Sequence, residues 1–542
     1  MAQSRGDSGT GPKAGFVLLV LASAQFLMTL DSSVMNVSIQ YVAKDLNTTV
    51  TGIQTAITLY TLVMASFMIT GGKIGARLGR RRTLAIGLIV YGVGSAVTAA
   101  APNLGFLLLG WSLFEGLGAA LILPAIVALV AVNFAEERRP SAYGLIAAAS
   151  AIAIAAGPLV GGAVTTFASW RYVFVAEVVI VFVILLALRK VADQPVGSFG
   201  RFDFAGAALS IVGLASTVFG VLRSSQWGVV SPKAGAPSWL GVSAVVWLIL
   251  GGLLLTWVFF VYEGRLEKRG GDPLVRPSML ANSRLIGGLS LFFFQYLVQM
   301  GLFFVVPLYL SVVLALSAVQ TGARLLPLSL ALLVSAIGIP RLLPGITART
   351  VLRSGFGAMT VGIVLLVTKI DVGAGAEIVL IPMLLIGLGI GALASQLGAL
   401  TVSSVPDSAS AEVGGLQNTV TNFGASLGTA LAGAILIGVL STTLITGAQS
   451  NAAIPKSVTQ SATVQLSNGV PFISDAELSS KLAKTDLTPA TQKAVISENE
   501  KARLAGLRVA LWVLAIFSVV ALFFTGLAPK RSLAALAVES SS

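Results

Sequence analysis

The chain has no cysteine and no histidine among its 542 residues. Disulfides and thiol redox chemistry are excluded, and so are an imidazole proton relay and any His- or Cys-ligated metal centre. Protons that move through this protein must move on carboxylates. Charge is scarce as well. Only 11% of the residues are charged, against roughly 25% in soluble domains. The phosphate-cradling pattern G-x-x-x-x-G-K-[ST] does not occur, so the sequence offers no nucleotide-driven engine. Neither a nucleophile–base pair nor a metal-ligand constellation stands out. The expectation is a protein that is not an enzyme and needs no cofactor and no metal.

What the chain does have is apolar residues, 56% of the total, gathered in blocks of the roughly 20 residues a helix needs to cross the hydrocarbon core. Hydropathy predicts about 14 spans: 14–39, 53–73, 83–101, 104–132, 141–163, 169–189, 204–223, 239–262, 285–313, 319–340, 353–370, 374–398, 417–446 and 505–527. The fold class is an all-α polytopic membrane protein. The first block is too long, and too lightly flanked, for a cleaved signal peptide. An even span count puts both termini on one side, and the basic loops say which. Lys73, Arg77, Arg80, Arg81 and Arg82 follow the second span, and Arg265, Lys268, Arg269, Arg276 and Arg284 follow the eighth. These loops and both termini are expected in the cytoplasm, with the chain in a bacterial inner membrane. The formal charge of +13 is read as this loop bias, not as a nucleic-acid surface. The long polar stretch 447–504 falls outside. Helical spacing over Asp475–Leu482 and Pro489–Leu507, with capping residues at Ser474 or Asp475 and at Thr488, predicts a small extracytoplasmic hairpin.

Three carboxylates interrupt the apolar runs: Asp31, Glu115 and Glu177. An ionisable side chain inside a span costs about 3 kcal/mol on insertion scales and is functional by default. They are the candidate proton-coupling residues, although Glu177 has an alternative partner in Arg171. Asp31 shares a helical stripe with Gln25, Met28, Met35 and Ser38. On the ninth span Phe292, Tyr296, Gln299 and Phe303 share a face, with Gln295 beside them. Gln417, Asn418, Thr421 and Asn422 make a polar face on the thirteenth. Aromatic faces and soft methionines hold hydrophobic cations without demanding one geometry. Met28, Met35, Phe292, Gln295, Tyr296, Gln299, Phe303, Gln417, Asn418 and Asn422 are therefore the candidate substrate contacts.

The loop after the second span reads Gly72-Lys73-Ile74-Gly75-Ala76-Arg77-Leu78-Gly79-Arg80-Arg81-Arg82. It resembles the G-x-L-x-D-R-x-G-R-R signature of the major facilitator superfamily, with Ala76 at the family's Asp. The fifth span carries Gly144, Ala153, Gly157-Pro158 and Gly161-Gly162, similar to the motif associated with exporters. Leu30-Asp31-Ser32-Ser33-Val34-Met35-Asn36-Val37 resembles L-D-x-T-V-x-N-V, and Ser112 to Ala120 follows R-x-x-Q-G-x-G-A-A with Ser112 for Arg and Glu115 for Gln. In this order the motifs resemble the 14-span drug:proton antiporter family. The resemblance implies two six-helix bundles, 1–194 and 271–542, with two inserted helices in 195–270. It also implies gating at Gly72, Arg77, Gly79, Arg80, Gly157, Pro158, Gly161 and Gly162. The implied activity is proton-coupled export of hydrophobic, cationic compounds by a monomer that meets protons, substrate and membrane lipids. Two other readings stay open: a lipid or glycolipid flippase on the same scaffold, and a non-transporting sensor or scaffold.

The absence of cysteine makes the predicted orientation directly testable. A cysteine placed at Ser480 reacts with an impermeant maleimide in intact cells, and one placed at Ser4 does not; the reverse labelling pattern contradicts the orientation.

Overall fold

A computed structural model describes residues 12–134, 138–193, 202–233, 235–343, 345–402, 404–405, 410–456 and 472–528. Fourteen helices among these are long and apolar enough to cross a membrane. They are α1 (Pro12–Asp45), α2 (Val50–Leu78), α3 (Arg80–Ala99), α4 (Leu104–Leu107, a π-helical stretch Leu108–Glu115, then Gly116–Asn133), α5 (Arg139–Phe167), α6 (Arg171–Leu188), α7 (Phe204–Trp227), α8 (Ala244–Lys268), α9 (Ser283–Leu308, ending in a π turn Tyr309–Val313), α10 (Ala318–Leu342), α11 (Ala348–Lys369), α12 (Leu380–Val402), α13 (Ser410–Ser450) and, after the short α14 (Asp475–Leu482), α15 (Pro489–Phe524). Local chemistry sets the starts. Thr49, Asn103, Asp203, Asn282, Thr347 and Thr488 each accept a bond from the first turn of the helix that follows, and Ser317 forms a reciprocal capping box with Gln320. Gly79, at φ 96°, turns the chain between α2 and α3 in a conformation other residues rarely adopt.

The helices form two six-membered bundles, α1–α6 and α9–α13 with α15. Two seams join them: α2 packs on α13, and α5 packs on α10. The second member of one bundle meets the fifth of the other in both seams, the reciprocity of a pseudo-twofold axis. The inserted α7 pairs with α8 and braces the α2–α13 seam. Leu250, Leu253, Leu254 and Trp257 of α8 are exposed in an apolar band suited to lipid.

Hydrogen bonds cross both seams in the half remote from the Arg80–Arg82 loop. Gln54 Nε2 donates to the carbonyls of Thr429 (3.1 Å) and Ala430 (3.2 Å), and Ser426 Oγ donates to that of Thr58 (2.9 Å). The Val319 amide donates to Thr166 Oγ1 (3.1 Å). At the opposite, basic end, Lys73 Nζ pairs with Asp272 at 2.7 Å, and the Arg77 guanidinium lies 5.3 Å from the Phe202 ring centre. Both ends of the inserted pair thus grip the loop whose family Asp is Ala76. Arg81 bonds Asp193 and the Val191 carbonyl within its own bundle.

The predicted hairpin changes form. The second arm, Pro489–Leu507, is not separate from a last span at 505–527: α15 runs unbroken for 36 residues, because nothing between Thr488 and Phe524 breaks the helix. The first arm is α14, capped by Ser474. Arg503, wholly buried, ties the two by donating to the Ile473 carbonyl (2.8 Å) and to Asp475 (2.5 Å). The expected bundle boundary at 194–195 and residues 457–471 of the loop lie partly or wholly outside the described residues.

The Lys73–Asp272 pair is 26% and 37% exposed, so solvent screens it and its coupling is expected at about 0.5 kcal/mol. A double-mutant cycle on thermal stability with Lys73→Asp, Asp272→Lys and both together shows the single variants destabilised and the double variant restored. Additive losses contradict a stabilising pair.

Candidate functional site

The three carboxylates converge. Asp31 on α1, Glu115 on α4 and Glu177 on α6 are 1%, 0% and 1% exposed, and each offers an oxygen within 4.8 Å of the other two. Glycines create the approach. A Cβ at Gly94 of α3 would strike the Gly110 carbonyl and the Glu115 side chain, and one at Gly118 would strike Gly87 and Tyr91. Bare backbone contact between α3 and α4 therefore presses Glu115 inward. The segment that carries Trp111, Ser112 and Glu115 is π-helical, a widened turn common at functional sites.

Donors are few around this cluster. The Trp111 indole Nε1 reaches both Asp31 oxygens, at 3.0 and 2.9 Å, and its ring stacks on Tyr60 with centres 4.9 Å apart. The hydroxyls of Tyr60 and Tyr91 are buried and make no hydrogen bond among the described residues. Ser95 Oγ donates to Glu177 (3.1 Å) and Thr98 Oγ1 to Glu115 (3.4 Å). Glu115 Oε2 and Glu177 Oε1 accept nothing from the described residues. Arg171, the alternative partner for Glu177, instead pairs with Asp45 at 3.0 Å and donates to the Ala101 carbonyl. Ser112, at the family's Arg position, bonds the Ala56 carbonyl of α2 (2.8 Å). Carboxylates this close repel one another and titrate as a coupled set. Such a trio suits proton exchange, and its oxygens are also spaced to hold a small cation.

A second feature lies across α1. Between the bundles is a small void of about 20 Å³, room for about one water. It is lined by Ser33, Asn36 and Val37 of α1, Ile154 and Pro158 of α5, Phe303 and Pro307 of α9, and Leu325, Leu328 and Ser329 of α10. Pro158 has no N–H to give the carbonyl one turn back. That carbonyl belongs to Ile154, and it accepts from Ser33 Oγ (3.5 Å) of one bundle and Ser329 Oγ (3.4 Å) of the other.

The glycines of the same motif close the packing around it. A Cβ at Gly157 would overlap Ser33, one at Gly161 would meet Val34, and one at Gly162 would meet the Ala318 carbonyl, while Gly322 abuts the Pro158 carbonyl. Gly72 has ordinary room. The Arg80 guanidinium lies 3.7 Å from where a Cβ on Gly75 would stand.

Of the residues expected to touch substrate, Phe303 lines this void. Met28, Met35 and Phe292 sit in the hydrophobic core, with Tyr296 packed against it. Gln295 and Gln299 are buried on the same α9 stripe as Phe303, each with a carbonyl oxygen free of described partners. Gln417 accepts from Thr401 Oγ1 (2.9 Å), and the amides of Asn418 and Asn422 bond the α13 backbone. Sequence reasoning missed Ser33, Asn36, Ile154, Pro307 and the α10 wall. The signal available was a pair of polar residues, Ser33 and Asn36, opposite Asp31 on an otherwise apolar helix.

Comparison with known proteins agrees with this architecture. The model of the Major Facilitator Superfamily matches residues 21–203. The puromycin resistance protein of Streptomyces alboniger is 30% identical over 442 residues, 80% of this chain and 84% of that protein. The cephamycin export protein of Amycolatopsis lactamdurans is 30% identical over 443 residues, 80% of this chain and 88% of that one. Among solved structures, a bacterial homologue of the human lysosomal transporter Spinster superposes with a TM-score of 0.57 at 16% identity, over 95% of this chain and 98% of that one. The chain belongs to the major facilitator superfamily of membrane transporters, in the 14-span group with drug-resistance and export proteins.

Proposed function

We propose that this protein is a proton-coupled exporter of hydrophobic small molecules that works by alternating access. It sits as a monomer in the bacterial inner membrane, with both termini and the Arg80–Arg82 loop in the cytoplasm. The observation that carries the reading is the meeting of Asp31, Glu115 and Glu177 inside one bundle. Three buried carboxyls within 4.8 Å cannot all be ionised together, so the number of protons they hold depends on which side of the membrane the site can reach. The kinship with resistance and export proteins and the exporter-type Gly157–Gly162 motif support outward transport. Reciprocal seams give the two bundles a pair of surfaces about which to rock. Protons entering from outside and substrate entering from inside then need only prefer different states of that rocking for exchange to be coupled.

Substrate-induced proton flux in proteoliposomes, measured across a compound panel, tests this. Asp31→Asn keeps shape and the Trp111 contact but holds no exchangeable carboxyl proton, so uphill transport falls to background while the protein stays folded by size-exclusion and thermal melt. Glu115→Gln retains part of the activity, and its pH–transport curve moves to lower pH, because one of three mutually repelling carboxyls has gone. If Asp31→Asn still pumps against a gradient at the wild-type rate, Asp31 is structural and coupling resides at Glu115 or Glu177.

A further inference from the structure

We propose that Asp203 and Glu263 hold one proton between them, and that this acid pair is a pH-sensitive clasp fastening the inserted helices to the loop of Lys73 and Arg77. The coupling cluster uses neither residue, and the inference does not rest on the export reading. Asp203 caps the start of α7 and Glu263 lies near the end of α8, so both stand at the basic end of the molecule. They are 8% and 0% exposed. Asp203 Oδ1 accepts from the Gly206 amide (2.9 Å) and the Tyr262 hydroxyl (3.0 Å). Glu263 Oε2 accepts from the amide of Leu274 (2.7 Å) and, at longer range, from that of Val275 (3.5 Å). The other two oxygens, Asp203 Oδ2 and Glu263 Oε1, receive no donor among the described residues. They converge on one bare Cα: a Cβ on Gly206 would lie 2.3 Å from the first and 2.2 Å from the second.

Two ionised carboxylates buried this close would repel each other. No lysine or arginine among the described residues pairs with either. The neighbouring charges are engaged elsewhere: Glu267 with Ser278, Arg276 with Glu412 of α13, and Lys73 of α2 with Asp272. The charge that acts on Glu263 is that of Asp203. One proton between the facing oxygens supplies the donor both lack and leaves a single charge, held by the amide and hydroxyl donors on the far side of each carboxyl. The pair then fixes two anchors at once. Leu274 and Val275 are buried with Phe259 and Ala207 in one apolar cluster, and Asp272, two residues earlier, holds Lys73. Phe202, immediately before Asp203, lies under Arg77. The clasped state binds the proton more tightly than the open one, so the clasp is stable at low pH and weakens as pH rises. When the proton leaves to water, the carboxylates repel and both anchors loosen together.

Deuterium exchange of the purified full-length protein in nanodiscs tests this without any transport measurement. Mass spectrometry of peptides containing Leu274 and Val275 reads the clasp directly, because the amides of both bond Glu263. Rates are compared from mildly acidic to mildly alkaline buffers, after correction for the intrinsic pH dependence of exchange. In the wild-type protein these amides are expected to lose about tenfold of their protection at the alkaline end. Asp203→Asn puts an amide N–H where the shared proton lay, so protection stays at its acidic level throughout. Glu263→Ala removes the acceptor and leaves the two amides weakly protected at every pH. Should that variant not fold, Asp203→Asn decides alone. The inference is overturned if wild-type protection does not change with pH, or if Asp203→Asn keeps the wild-type pH dependence. It is overturned as well if added sodium or magnesium restores protection to the wild-type protein at alkaline pH, since the pair then holds a cation and not a proton.

Discussion

The indole of Trp111 holds both oxygens of Asp31, and this contact decides which way α1 faces. With that carboxylate turned inward, the same helix offers Ser33 and Asn36 to the space between the bundles. Glu115 follows from the same segment, because the π-helical stretch that carries Trp111 also carries Glu115. The carboxylate cluster and the residues that face the other bundle thus lie on opposite sides of one helix.

The fifth helix packs closely on both bundles. Gly157 and Gly161 let α1 lie directly on its backbone, and Gly162 lets α10 do so on another face. Pro158 frees the Ile154 carbonyl, which then receives a hydroxyl from each bundle. Small residues and one missing N–H therefore make α5 the common neighbour of the helix that carries Asp31 and the opposite bundle. At the basic end the segments flanking the inserted helices contact the region around Ala76. Asp272, beyond α8, meets Lys73, and Phe202, before α7, meets Arg77.

Much of this was legible in the residues. Fourteen spans, their order and the three intramembrane carboxylates stand out because a charge in an apolar run is costly wherever the chain folds. Their convergence was not legible. Glu115 is pressed toward Asp31 by backbone contact at Gly94, Gly110 and Gly118, and Gly92 lets Val181 of the helix that carries Glu177 lie close on α3; a glycine in a span reads the same whether or not a helix lies against it. The void between the bundles was harder still. Aromatic periodicity on the ninth span picked out Phe303 but also Phe292, which is core, since apolar side chains do not declare whether they face lipid, a neighbour or a cavity. Met28 and Met35 were assigned to substrate because they share the Asp31 stripe, and for that same reason they are packed inside the bundle. The helix of the last span begins at Pro489, well before its apolar stretch, because a helix leaving the membrane has no reason to stop where its apolar residues do.

The central claim is that export is driven by protons carried on the cluster of Asp31, Glu115 and Glu177. Substrate-induced proton flux in proteoliposomes, compared between the wild-type protein and Asp31→Asn, tests it most directly. The account predicts flux with the wild-type protein and none above background once Asp31 is replaced by Asn. Equal flux in the two proteins contradicts it.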